Sequence, residues 1–165
     1  IQPITKKYLK DAHKIYNYYI LNSYSNFEEK KVSFKKFSDN YKKIVYQKIP
    51  YLVAIYNKQV VGIAYLNKFR EKSGYRFAFE NTIYIHNEYT KLGIGTKLLR
   101  KLIVVSKKNK NIKRIIAVIA SKDSRGSMNI HRKLGFKKTG VLKNIGFKNG
   151  KWIDSIFMQR DLWKK

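Results

Sequence analysis

Residues Arg114 to Ala120 read Arg-Ile-Ile-Ala-Val-Ile-Ala, with no polar side chain after the first. A short, continuously apolar run of this kind is what a strand requires when both of its faces are covered. It makes a helical bundle or a barrel of hairpins a poor fit and points to an α/β domain.

The periodicity of the remaining chain agrees. An amphipathic helix is expected from a cap at Thr5 to about Asn22, with Leu9, Ala12, Ile15, Tyr16, Tyr19 and Ile20 on one face. A second follows Ser33, carrying Phe34, Phe37, Tyr41 and Ile44. Two strand-like runs, Tyr51 to Tyr56 and Val60 to Leu66, flank Asn57-Lys58-Gln59 in a hairpin pattern, and Arg76 to His86 is a third. Gly93-Ile94-Gly95 then opens a helix holding Leu98, Leu99, Leu102, Ile103 and Val104. Beyond the apolar run, a short helix from about Gly126 to Leu134 ends at Gly135, a left-handed cap. Two last strands, near Val141 to Phe147 and Trp152 to Arg160, flank Asn149-Gly150, a strong hairpin signal. The order is β-α-α-β-β-β-α-β-α-β-β, with a mixed, mostly antiparallel sheet. No linker or repeat interrupts it, so residues 1–165 read as one domain.

Charge is the property most open to misreading. The chain carries 37 basic and 10 acidic residues, a net charge of +27. That balance invites a nucleic-acid role, but the basic residues are spread along the whole chain rather than gathered into one arm or patch. No specific nucleic-acid partner is expected; the positive field would instead speed the arrival of anionic ligands. The absence of cysteine excludes a disulfide framework and a thiol nucleophile. No metal is expected. The first seven residues lack the apolar centre of a signal peptide, and no apolar run approaches the roughly 20 residues of a membrane span. A soluble, cytoplasmic protein is the expectation.

The chemistry concentrates in Thr82-Ile83-Tyr84-Ile85-His86 and Thr90-Lys91-Leu92-Gly93-Ile94-Gly95-Thr96. A strand feeds a glycine-bearing turn that becomes a helix N-terminus, where unpaired N–H groups and the helix dipole hold phosphate oxygens. It is neither the Walker loop nor the dinucleotide fingerprint, which would require glycine at position 98, where Leu98 stands.

With its flanks, this loop resembles the pyrophosphate-binding loop of GNAT acetyltransferases, and Ile130-His131-Arg132-Lys133-Leu134-Gly135-Phe136 is similar to that superfamily's late helix and Leu-Gly-Phe signature. The resemblance spans nearly the whole chain and narrows to the phosphinothricin acetyltransferase group. Ile15 to Ile20, Asn26-Phe27-Glu28, Val60 to Tyr65, Phe79-Glu80-Asn81, Ile116 to Ile119 and Gly146 to Trp152 carry it, in the same order and at similar spacing.

The resemblance implies a GNAT fold, acetyl-CoA as cosubstrate, a homodimer, and roles for particular residues. Ile83, Tyr84 and Ile85 match the strand that pairs with the pantetheine arm. Lys91, Leu92, Gly93, Ile94, Gly95 and Thr96 match the pyrophosphate cradle. Glu80 matches the general base, and His131 stands where many GNAT enzymes hold a tyrosine and this group a histidine. Phe27, Arg70, Lys72 and Tyr75 match acceptor-site positions. Two positions depart from the pattern: Thr90 replaces the loop's usual Gln or Arg, and Asp123 or Ser124 stands near the group's late asparagine, with Ser124 the better neighbour for a phosphate.

The residue types make chemical sense in these roles. An amine is a nucleophile only after losing its proton, and a carboxylate whose pKa lies near the working pH takes that proton well. Glu80, in an otherwise apolar strand, gains such a pKa by burial. His131 is a candidate to relay a proton, to protonate the departing thiolate or to position other groups. A backbone N–H of the Ile83–Ile85 strand is the expected oxyanion donor. Arg70, Lys72 and Arg76, interleaved with Phe69 and Tyr75, suit an acceptor bearing an anion. The expected reaction is acetyl transfer to the α-amino group of a small amino-acid-like acceptor of the phosphinothricin or methionine sulfoximine/sulfone type. The competing readings are an N-terminal acetyltransferase of a ribosomal or other protein and a non-catalytic, basic RNA-binding module.

Overall fold

The computed structural model describes residues 1–122 and 124–163, and the apolar run forms a strand over the whole of Arg114–Ala120 (β5). Ahead of it stand β1 (Gln2–Pro3), α1 (Leu9–Asn22), α2 (Phe34–Tyr46), β2 (Tyr51–Tyr56), β3 (Gln59–Lys68), β4 (Ala78–Ile85) and α3 (Ile94–Ser106). After it come α4 (Arg125–Lys133), β6 (Lys137–Lys148) and β7 (Lys151–Asp161). The seven strands form one sheet in the order β1-β2-β3-β4-β5-β7-β6, and every neighbouring pair is antiparallel except β4 with β5.

The local signals act where the sequence placed them. Ser33 accepts the N–H of Lys36 and caps α2. Asn57 and Lys58 both adopt positive φ, the two-residue turn whose twist matches the flanking strands. Thr5 is a correction: its side chain caps nothing, and a 3-10 turn over Lys6–Tyr8 precedes the α-helix, its first bond running from Tyr8 N–H to the Thr5 carbonyl. Strand β6 begins at Lys137, four residues before the expected start, because an edge strand can present lysines to water along its length.

The two faces of the sheet divide the helices. Tyr84 packs on Tyr16 and Tyr19 of α1, while Ile85 turns to the face of Gly62 and of Leu98 on α3. Along β4 the even residues therefore face α1 and the odd ones face α3 and α4. β3 is buried from Val60 to Leu66. A Cβ at Gly62 would crowd this face, lying 2.8 Å from Ile85 Cδ1 and 3.2 Å from the Tyr84 carbonyl oxygen. Among the described residues, no helix is long and apolar enough to cross a membrane.

The β6–β7 hairpin is tied to the segment after α1 by one side chain. Lys148 is 1% exposed, and its Nζ donates to the carbonyls of Ile20 (2.6 Å), Ser23 (2.8 Å) and Asn26 (2.5 Å). The ammonium spends its three protons on α1's last turn and the loop beyond it, and no described carboxylate pairs with it. Phe27, in the same loop, lies flat against Gly146 of β6, where a Cβ would come within 2.5 Å of its ring. Replacing Lys148 with Met removes the donor and leaves three carbonyls unpaired. We expect a loss of about 2–4 kcal/mol of unfolding free energy, read from denaturant melts.

Candidate active site

Parallel pairing between β4 and β5 covers Ala78·Arg114, Phe79·Ile115 and Glu80·Ile116 and stops there. β4 continues against β3 to Ile85, and β5 against β7 to Ala120, so the two strands part. The bonds from Phe69 N–H to Ala78 O and from His86 N–H to Val61 O fix the alternation along β4: even residues spend their backbone groups on β3, and odd ones turn theirs toward β5. Past Glu80 this leaves the Asn81 carbonyl, both backbone groups of Ile83 and the Ile85 N–H facing a gap. The Ile85 carbonyl accepts from Tyr19 Oη at 2.7 Å.

A cavity of about 570 Å³ occupies this gap, walled by Glu80 to Ile85 on one side and Ala117 to Ala120 on the other. At one end lies the turn before α3. Gly93 caps that helix with φ +75°, and Lys91 also adopts positive φ at 62°. The first turn's N–H groups at Ile94, Gly95 and Thr96 have no intrahelical partner, and Gly95 and Thr96 line the cavity. A phosphate there meets the positive end of a helix dipole. At the other end, Glu80 stands beside the last β4–β5 pair.

Burial raises the Glu80 carboxyl above its ordinary value of 4.5, with the nearby Arg70 charge pulling the other way. No described side chain hydrogen-bonds to the carboxylate. His131, 1% exposed, sits at the cavity wall with both ring nitrogens engaged. Its Nδ1 lies 2.7 Å from the Ser127 carbonyl, which can only accept, so Nδ1 carries the proton. Burial lowers its pKa and keeps the ring neutral, so Nε2 accepts from Asn81 Nδ2 at 3.0 Å.

Of the sequence-expected residues, Glu80, Ile83, Tyr84, Ile85, Lys91, Gly93, Gly95, Thr96, Ser124 and His131 meet at the cavity. Tyr84 contributes only its side chain, since its backbone pairs with Ile63. That side chain is buried, stacked 4.4 Å from Tyr19, and donates from Oη to the Ser25 carbonyl at 3.1 Å. Ser124 precedes α4 and makes no side-chain cap bond, which leaves its hydroxyl available; Asp123 lies outside the described residues. Leu92 is 62% exposed, and Ile94 packs its side chain on the core. Phe27, Arg70, Lys72 and Tyr75 do not line the cavity. Phe27 lies on β6, and the other three are exposed in the β3–β4 loop, with Tyr75 edge-on to Phe69. Tyr19, Ser25 and Asn81 were not singled out as site residues. Each reaches the cavity through a tertiary contact that no local pattern encodes.

The chain as a whole is similar to known acetyltransferases. The sequence model of the Acetyltransferase (GNAT) domain matches residues 1–157. The phosphinothricin N-acetyltransferase of Alcaligenes faecalis is 33% identical over 148 residues, covering 90% of this chain and 75% of that protein. The crystal structure of a phosphinothricin acetyltransferase from Sinorhizobium meliloti in complex with acetyl-CoA superposes with a TM-score of 0.92 at 34% identity, covering 97% of this chain and 86% of that one. The ribosomal-protein-alanine N-acetyltransferase of Brucella melitensis superposes with a TM-score of 0.93 at 31% identity, over 97% of this chain and 98% of that one.

The His131 geometry has a direct spectroscopic consequence. Ring ¹⁵N shifts at neutral pH are expected to report the Nδ1–H tautomer, with charging displaced below the ordinary value of 6.5. A ring that titrates at or above that value would contradict the arrangement.

Proposed function

The chain belongs to the GNAT family of N-acetyltransferases, and from that premise we propose that it acetylates the α-amino group of a small amino-acid-like acceptor, of the phosphinothricin or methionine sulfoximine/sulfone type, with Glu80 as general base. The observation that carries this reading is a carboxyl of raised pKa, without a hydrogen-bond partner among the described residues, beside the point where β4 and β5 part. Acetyl-CoA supplies the activated acyl group and is the cosubstrate. Gly95 and Thr96 hold its pyrophosphate with first-turn N–H groups, Lys91 adds a cation, and Ser124 offers a hydroxyl from across the cavity. Ile83 and Ile85 offer strand-like backbone pairing to its arm, as β5 would if it had not diverged.

The acceptor arrives largely as an ammonium, and Glu80 takes one of its protons. The freed amine attacks the acyl carbon, the C–S bond breaks, the departing electron pair stays on sulfur as the thiolate of CoA, and the proton still to be shed by the new amide nitrogen passes to that thiolate or to water. The Ile83 N–H is the donor suited to the charge that develops on the acyl oxygen. His131 has neither a free lone pair nor a free proton in this geometry, so it positions Asn81 and does not relay protons. Arg70, Lys72 and Tyr75 stand in the β3–β4 loop before Glu80 and suit the acceptor's anionic groups, and Phe27, in the loop after α1, is assigned to the acceptor side by the resemblance alone. A cytoplasmic setting and the absence of a specific nucleic-acid partner belong to the same reading.

A peptide or protein N-terminus is the second acceptor class, favoured by the likeness to the Brucella ribosomal-protein-alanine enzyme. The two are separated by measuring free-thiol release from acetyl-CoA with phosphinothricin, methionine sulfone, ordinary amino acids and a peptide ending in alanine. Turnover with one small acceptor, at least tenfold above the peptide in kcat/KM, supports the proposal; the reverse order overturns it. Burial raises Glu80, so activity should fall on an acidic limb centred above 4.5, as the base becomes protonated below its folded pKa. Glu80→Gln should lower kcat by roughly 10²–10⁴-fold and abolish that limb.

We also propose that two copies associate through the β6–β7 hairpin. Leu142, Ile145, Phe147 and Trp152 are 47%, 57%, 50% and 63% exposed on this edge, an apolar surface that a monomer would leave in water. Sedimentation equilibrium should give a dimer for the wild type and a monomer for an Ile145→Glu/Trp152→Glu variant. A wild-type monomer at micromolar concentration would rule the association out.

A further inference from the structure

The segment between α1 and α2 has neither ladder nor helix of its own, so side chains must satisfy its backbone groups. Ser23 Oγ accepts the N–H of Ser25 at 3.1 Å, and Asn26 Oδ1 accepts that of Glu28 at 2.9 Å. At the far end Asn17 brackets Val32, accepting its N–H at 3.0 Å and donating to its carbonyl at 3.1 Å. The middle is gripped from two strands. Tyr84 of β4 donates to the Ser25 carbonyl, and Lys148 of β6 donates to the carbonyls that flank it, at Ser23 and Asn26, and to that of Ile20.

Ser25 is the residue of this segment that lines the cavity. It does so on a particular face of the sheet. Even-numbered residues of β4 point toward α1, so Glu80, Thr82 and Tyr84 share that face with Tyr19 and Ser25. Gly95 of α3 and Ile130 and His131 of α4 line the cavity from the other face. The cavity therefore passes through the sheet where β4 and β5 part, and the Glu80 compartment is closed on one side by the loop.

An ammonium is an expensive tether, because burying a charge is unfavourable unless its protons are all engaged. An apolar side chain would pack the hairpin without that penalty. What the ammonium adds is geometry: three carbonyls must point at one atom, which sets the peptide planes before and after Ser25. Phe27 continues the contact by lying on Gly146 of the same strand.

We propose that Lys148 is a positioning residue for the acceptor: its carbonyl cage sets Ser25 as a wall of the compartment that Glu80 faces. The assignment rests on the acceptor reading given above, with Glu80 as base. It puts control of acceptor fit in the β6–β7 hairpin, no described residue of which lines the cavity.

The test compares wild type with Lys148→Met, which keeps a long side chain and loses the donor, and with Gly146→Ala. Gly146 has no positive φ, so alanine fits its backbone, and the added methyl displaces the Phe27 ring while the ammonium stays. The substrate is the best acceptor of phosphinothricin, methionine sulfone, the ordinary amino acids and the alanine peptide. Lys148→Met should raise the KM for that acceptor roughly ten- to a hundredfold, with the affinity for CoA by titration calorimetry unchanged. Gly146→Ala should give a smaller rise in the same direction, and it carries the test if Lys148→Met does not fold. A tether that only stabilised the fold would reduce the amount of active enzyme, and so the apparent kcat, without moving KM. An acceptor KM unchanged in every variant that folds, or a matching loss of CoA affinity, overturns the assignment and leaves the acetyltransferase reading standing. Absence of turnover by wild type with every acceptor sinks the acceptor reading and this assignment together.

Discussion

Everything functional in this molecule depends on two neighbouring strands that stop pairing. In a closed parallel sheet, β4 and β5 would satisfy each other's backbone groups along their full length. Here the ladder ends at Glu80 and Ile116, and the polar groups past that point face a cavity. Buried backbone groups without partners are costly, so the fold offers a ready-made edge to any extended ligand bearing amides. The antiparallel neighbours β3 and β7 hold the two strands apart, which makes the opening part of the native sheet and not a local defect.

Polarity is distributed along this opening. The cationic and N–H-rich end lies at the turn before α3, where a glycine with φ +75° lets the chain reverse into the helix. The carboxylate lies at the other end, among aromatic side chains of the α1 face, where little competes for its proton. A net charge of +27 sets the long-range field but not the site's chemistry. In the proposed reading that chemistry comes from one acid and a few backbone groups, each made potent by its removal from water.

Much of this was legible in the sequence, for definable reasons. The strand at Arg114–Ala120 matched residue for residue, because burial on two faces permits no polar residue. The turn at Lys91–Gly95 was legible because glycine marks positive φ and tight approach. Glu80 stood out as an acid within an apolar strand. Strand pairing left no such trace: nothing in Ala78–Ile85 says that its partner will leave after three residues. The Asn81–His131 bond joins positions 50 apart in sequence, and Lys148 is one cation among many until its burial is seen. The first third of β6, residues 137–140, carries no core signature because its lysines obey the rules of an exposed edge and not those of a core.

The carbonyl cage around Lys148 has a consequence for how the molecule comes into being. Its three bonds span sequence separations of 122 to 128 residues in a chain of 165. Contacts that distant are late arrivals in folding, since their loop-closure entropy must be overcome before they contribute anything. During synthesis from the N-terminus, the segment from Ser23 to Phe27 lacks these three bonds until the final hairpin has emerged, and only the Tyr84 hydroxyl and the end of α1 hold it before then. A nascent or truncated chain would thus carry the turn before α3 and Glu80 while the loop after α1 is still only partly tethered.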